Sequence, residues 1–178
     1  MWPIIAASLV VIVVLFLIVV ASQPADYQVV RKATMAASPG DLFVQVNDLR
    51  KFQDWSPWAK LDPDVKNTYE GPPAGTGAIS RWAGNKKVGE GSMTIVESHP
   101  NDFIRMKLEF IKPFPSSADV QFDFKPDGNG TAVTWTMSGK KNFVSKAFCL
   151  FASMDKMVGG DFERGLANLK TLTEKVKG

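Results

Sequence analysis

Between Ile4 and Ala21 the chain reads IIAASLVVIVVLFLIVVA, eighteen residues that carry no charge and have Ser8 as their single polar side chain. At about 1.5 Å per residue such a helix is about 27 Å long, close to the roughly 30 Å hydrocarbon layer of a bilayer. The stretch therefore predicts a membrane anchor over residues 4–21. A cleaved signal peptide is the rival reading, but its apolar core usually runs about 7–15 residues behind a basic start. Here Met1-Trp2-Pro3 brings no Lys or Arg and the run is longer, although Val19 and Ala21 would suit a signal peptidase. Length and flanks favour a retained anchor. Arg31 and Lys32, the nearest basic pair, follow the run, so the positive-inside rule leans towards a cytoplasmic domain.

Residues 1–25 then form the anchor and a short polar linker, and residues 26–178 form one domain large enough for a single core. All 21 Lys and Arg and all 18 Asp and Glu fall after the anchor, a net charge of 21 − 18 = +3. So small and interspersed an excess gives no phosphate-tracking field, and nucleic acid is not expected as a partner. The single cysteine, Cys149, excludes an internal disulfide.

Along the domain, Tyr27 to Met35 has strand parity interrupted by Arg31. Ser38, Pro39 and Asp41 then mark a helix start, with Leu42, Phe43 and Val46 at helical spacing. A second short helix is expected from Leu49 to about Asp54. From residue 65 to 139 the pattern becomes about six strands joined by glycine-rich or polar turns. In FIRMKLEFIKP, Ile104, Met106, Leu108 and Phe110 share one face and Arg105, Lys107 and Glu109 the other. ADVQFDFK and TAVTWTMSG alternate in the same way around the turn Asp127-Gly128-Asn129-Gly130. Val144 to Lys175 holds apolar residues at gaps of three and four and reads as one long amphipathic helix, with Gly159, Gly160 and Gly165 marking a kink or a close backbone approach. The expected fold is α+β: a curved antiparallel β-sheet gripping a long C-terminal α-helix.

Chemistry is sparse in this pattern. His99, the only histidine, stands beside Pro100 at a strand end and reads as a solvated turn residue rather than a triad member. One His and one Cys cannot assemble a zinc site, so no metal is expected. GNKKVGEG, residues 84–91, imitates a phosphate loop but has Glu90 where the lysine belongs, and no dinucleotide fingerprint occurs, so no cofactor is expected. Asp54, Glu97 and Glu109 read as solvated charges, leaving no assigned catalytic residue.

The element order, the segment NDLRKFQDWSPWAKLDPD and the terminal MDKMVGGDFERGLANLKTLTE resemble the START-related helix-grip superfamily (SRPBCC), in its polyketide cyclase/dehydrase and lipid-transport branch. The resemblance spans about residues 26–175 and implies a space between sheet and C-terminal helix that takes a hydrophobic ligand. Trp55 and Trp58 would then stand at its mouth, as a lid or as a core plug, and Trp82 would join the lining. Met93, Met106, Phe110, Phe122, Trp135 and Met137 would line it from the strands. Phe148, Phe151 and Met154 would line it from the helix. These rings and thioethers suit an adaptable apolar pocket and equally suit a solid core. The primary expectation is a membrane-anchored domain holding a hydrophobic small molecule or lipid. A cyclase/dehydratase-type enzyme using a cavity acid or base, and an envelope interaction module with a filled core, are the alternatives.

Overall fold

The computed structural model describes residues 2–151 and 153–175, so residues 176–178 of the expected domain lie outside the described residues. Helix α1 (Trp2–Ser22) is long and apolar enough to cross a membrane, and its described side chains are exposed apart from Val20. After a three-residue link, β1 (Asp26–Met35) opens the domain.

Helices α2 (Pro39–Asn47) and α3 (Leu49–Trp55) form where the sequence signals place them. Ser38 and Asp41 make a reciprocal capping box around Pro39, and the Asp48 side chain accepts from the Arg50 N–H at 2.9 Å to start α3. Pro57 ends α3, because it holds Ser56 in extended geometry at ψ 129°. Six strands follow: β2 (Lys66–Glu70), β3 (Ile79–Ala83), β4 (Glu90–His99), β5 (Phe103–Lys112), β6 (Ser116–Asp127) and β7 (Gly130–Lys140). All pair antiparallel in the order β1-β7-β6-β5-β4-β3-β2, an open sheet whose first strand returns to the edge of its last. Gly128, at φ +58°, makes the β6–β7 turn, a conformation that disfavours a side chain.

Register explains the alternation. Val29, Met137, Val120, Met106 and Ile95 lie opposite one another across five strands, and Trp135, Phe122 and Ile104 form the next inward row. The opposite face carries ion pairs such as Lys107–Asp119 at 3.0 Å and Arg105–Glu97 at 2.7 Å. One face is dry because every second residue is apolar.

The single helix expected over residues 144–175 is two: α4 (Phe143–Cys149) and α5 (Met154–Lys175). The break precedes the glycines instead of falling on them. Gly159 and Gly165 are close-approach positions inside an unbroken helix: a Cβ on the former would collide with the Arg31 guanidinium, and on the latter would sit 2.7 Å from Trp135 Cζ3. Gly160 faces open space. With those contacts cleared, Phe162, Leu166 and Leu169 reach the sheet and are buried.

Arg31, the odd residue on an apolar strand face, fastens α5. Its Nη1 donates to Asp155 Oδ1 at 2.7 Å and its Nε to Glu163 Oε1 at 2.6 Å, bridging two turns of the helix across Gly159. Hydrogen bonding from Arg31 holds the Asp155 carboxyl below its ordinary value of 3.8. A depressed carboxylate stabilises the fold above its unfolded-state pKa, and that contribution is lost as pH falls through the folded value. The denaturant midpoints of the native chain and Asp155→Asn should therefore differ at neutral pH and converge as the medium is acidified through the depressed Asp155 titration.

Candidate functional site

The centre of the sheet–helix interface is a stack of rings. Trp135 lies parallel to Phe162 at 4.1 Å between centroids and tilted against Phe122 at 4.8 Å, while Phe52, Trp55 and Trp58 meet it edge-on at 6.2, 5.7 and 5.9 Å. Edge-to-face and offset contacts of this kind add about 0.5–1.5 kcal/mol per pair beyond area burial.

The two tryptophans of the Pro57 segment therefore divide their work. Trp55 is not at a mouth: it is 1% exposed, and its indole N–H donates to the Gln45 carbonyl at 3.1 Å, so it plugs the core. Trp58 stands one step outward, partly exposed and edge-on to both Trp135 and Phe162. Trp135 Nε1 is buried and has no hydrogen-bond partner among the described residues. A buried indole N–H without an acceptor costs about 1–3 kcal/mol, so this atom favours an acceptor in the ring cluster.

Towards the anchor-proximal end of the sheet, where Asp26 pairs with Lys140, the inward face changes character. Tyr69, Ser80, Met93, Leu108, Ala118, Gly139 and Tyr27 form one cross-strand row, and Trp82, Gly91 and Phe110 form the row beyond it. Small residues alternate here with rings laid flat. Trp82 covers Gly91, where a Cβ would fall 2.5 Å from its Cζ2, and Tyr27 covers Gly139, where a Cβ would fall 2.9 Å from its hydroxyl. The result is a low aromatic floor. Tyr27, Leu108, Trp82 and Phe110 stay partly exposed at inward positions, whereas Phe122, Val133 and Ile104 deeper in the sheet are fully buried. Among the described residues, the side-chain hydrogen bonds that join α5 to β1 and the residue after it begin at Arg31, so the floor lies beyond them. Tyr27, itself in the first row, brings a phenol hydroxyl to this floor beside Gly139. Burial raises its pKa, with Cys149 of α4 and Asp119 adding to the shift, so it is a phenol and a hydrogen-bond donor at neutral pH.

Of the remaining expected lining residues, Met93, Met106, Phe122, Trp135 and Met137 are buried inward, and Met154 packs partly buried against the core. Phe148 and Phe151 are a correction. They are 58% and 84% exposed, because the chain turns between α4 and α5 and swings these rings away from the sheet. His99 is exposed at the end of β4, with Nε2 2.9 Å from Glu97 Oε1, on the outer side of the sheet from the floor. Among the described residues no three His, Cys, Asp or Glu gather as a metal site. Sequence reasoning misses Tyr27 and Leu108 as site residues, because only register reveals that they flank Gly139 and Ala118.

An open antiparallel sheet that clasps a C-terminal helix through an aromatic seam defines the helix-grip class. The family model for polyketide cyclase / dehydrase and lipid transport matches residues 27–174, and the chain belongs to that SRPBCC-type family. None of the curated proteins matches it by sequence. Among solved structures, the Aha1 dimer from Colwellia psychrerythraea is 15% identical with a TM-score of 0.60, over 85% of this chain and 99% of that one. A protein from Rhizobium leguminosarum is 13% identical at a TM-score of 0.61, over 84% and 95%. The di-domain ARO/CYC protein StfQ of the steffimycin biosynthetic pathway is 12% identical at 0.62, with 86% of this chain covering 52% of that one. These likenesses show the fold.

Proposed function

We propose that the chain is a membrane-anchored binding domain, with residues 4–21 crossing the bilayer and residues 26–178 holding an apolar small molecule, a lipid or a polyketide-like compound, over the aromatic floor. The observation that carries this reading is the partial exposure of Tyr27, Leu108, Trp82 and Phe110 at positions that face the inside of the grip. A core filled by its own side chains would leave those positions dry. The family description, which names polyketide cyclase / dehydrase and lipid transport, and the ARO/CYC neighbour from the steffimycin biosynthetic pathway support an apolar, ring-bearing ligand class. Burial of such a ligand is favourable by roughly 25 cal/mol per Å², and the Tyr27 hydroxyl supplies a donor that would orient it.

The domain without α1 corresponds to solved structures that stand as whole chains, so residues 26–178 suit a direct test. Leu108→Trp places a large ring over the floor. It should weaken binding of cis-parinaric acid by about tenfold or more while shifting stability by less than about 1 kcal/mol. A filled interior would instead show an overpacking loss of about 1–3 kcal/mol and no probe binding by the parent domain, and that result would sink the reading.

A further inference from the structure

Helix α4 is amphipathic the wrong way round. Phe143, Val144 and Phe148 of the helix and Phe151 just past its end are all exposed, while Ser145, Lys146, Ala147 and Cys149 are partly buried. An outward apolar stripe on a short helix has no folding rationale in water. Its position supplies one. Helix α4 packs against the last turn of α1, where Val20 is 0% exposed, and Lys146 Nζ donates to the Ala21 carbonyl at 3.2 Å.

We infer that the face formed by α4 and the neighbouring β5–β6 turn is a bilayer-docking surface that seats the anchor-proximal end of the grip in the lipid headgroup layer. The inference rests on α1 spanning the membrane. An apolar run ending at Ala21 puts that carbonyl at the edge of the hydrocarbon, and anything packed on the last turn of α1 lies at the same depth. Helices that lie in this interface bury their apolar face about 5–10 Å into the headgroup boundary. The same end of the sheet carries Phe114, 57% exposed in the β5–β6 turn, and the basic pair Lys140 and Lys141, which suits an anionic lipid surface, while Lys112 is paired with Glu90 at 2.6 Å. Because the chain is already tethered there, docking needs no further search and each modest interaction acts at high local concentration. It would also point the partly exposed aromatic floor at the lipid.

The test uses the full chain in vesicles of 3:1 phosphatidylcholine and phosphatidylglycerol, in a Cys149→Ala background. Single nitroxides are attached through Phe148→Cys, Phe151→Cys, Val13→Cys or Asn129→Cys. Collision with oxygen, which favours lipid, is compared with collision with a neutral nickel chelate, which favours water. Labels at 148, 151 and 13 should favour oxygen by several-fold relative to the label at 129, in the β6–β7 turn at the opposite end of the sheet. Labels at 148 and 151 that behave like the one at 129, while 13 reports lipid, would overturn docking and leave the anchor standing. A watery report at 13 would overturn the anchor and docking together. Dipolar broadening at 148 and 151 with access lost to both collision partners would mean that a second copy covers the stripe, and would overturn the lipid assignment.

Discussion

Trp135→Ala is expected to lower the unfolding free energy by about 3–5 kcal/mol, measured by denaturant titration of the domain. Its ring is the meeting point of Phe52, Trp55, Trp58, Phe122 and Phe162 and also lies against Gly165 of α5, so truncation opens the seam between sheet and helix from both sides. Against a total stability of about 5–15 kcal/mol, that loss is large enough to leave a measurable unfolded fraction. Trp135→Phe should cost far less, because the volume lost is offset by removing an N–H that is buried without an acceptor. Phe148→Ala and Phe151→Ala should each stay within about 0.5 kcal/mol, since exposed rings leave no cavity behind. Comparable losses at 135 and 148 would place both rings in one core and restore the single long helix.

That contrast marks where local pattern stops being informative. The strands and their inward residues are legible in the sequence because alternation with period two is a local property, and the pairing of Met106, Val120 and Met137 follows from it. The helix starts are legible from Ser38 and Pro39 for the same reason. The end of α4 is not. Apolar spacing runs through residues 144–172 without a gap, and the chain turns after Cys149 with no proline or glycine to announce it. Periodicity cannot distinguish Phe148, which faces away from the protein, from Phe162, which faces into it, because both are apolar and in phase. The role of Arg31 is equally hidden: in sequence it is a blemish on a strand face, and only the position of Asp155 and Glu163 across Gly159 turns it into the fastening of α5. The floor of the site is a third case. Glycines opposite Trp82 and Tyr27 acquire meaning only once β3, β4, β7 and β1 are in register.

The three glycines of α5 make a matched series in which helix propensity is constant and only the neighbour changes. Alanine in a helix interior is favoured over glycine by about 0.8–1.0 kcal/mol. Nothing lies within 4 Å of the place a methyl on Gly160 would occupy, so Gly160→Ala should stabilise the domain by about 0.5–1 kcal/mol. At Gly165 the same methyl would lie 2.7 Å from Trp135 Cζ3 and 3.2 Å from Pro57 Cδ, both fixed parts of a packed seam. An overpacking cost of about 1–3 kcal/mol outweighs the propensity gain there, and Gly165→Ala should destabilise. At Gly159 the obstacle is the end of a flexible guanidinium, which can swing away. Gly159→Ala should therefore exchange the Arg31 pairing for helix propensity, staying near the parent at neutral pH, and adding Asp155→Asn to it should bring no further pH-dependent change, since Arg31 can no longer lie across the helix to both carboxylates. Thermal or denaturant midpoints of the three variants at neutral and acid pH would check all three signs. A uniform rise across the series would mean that α5 does not press on the sheet at Trp135, and with that contact would go the clasp on which the helix-grip core depends.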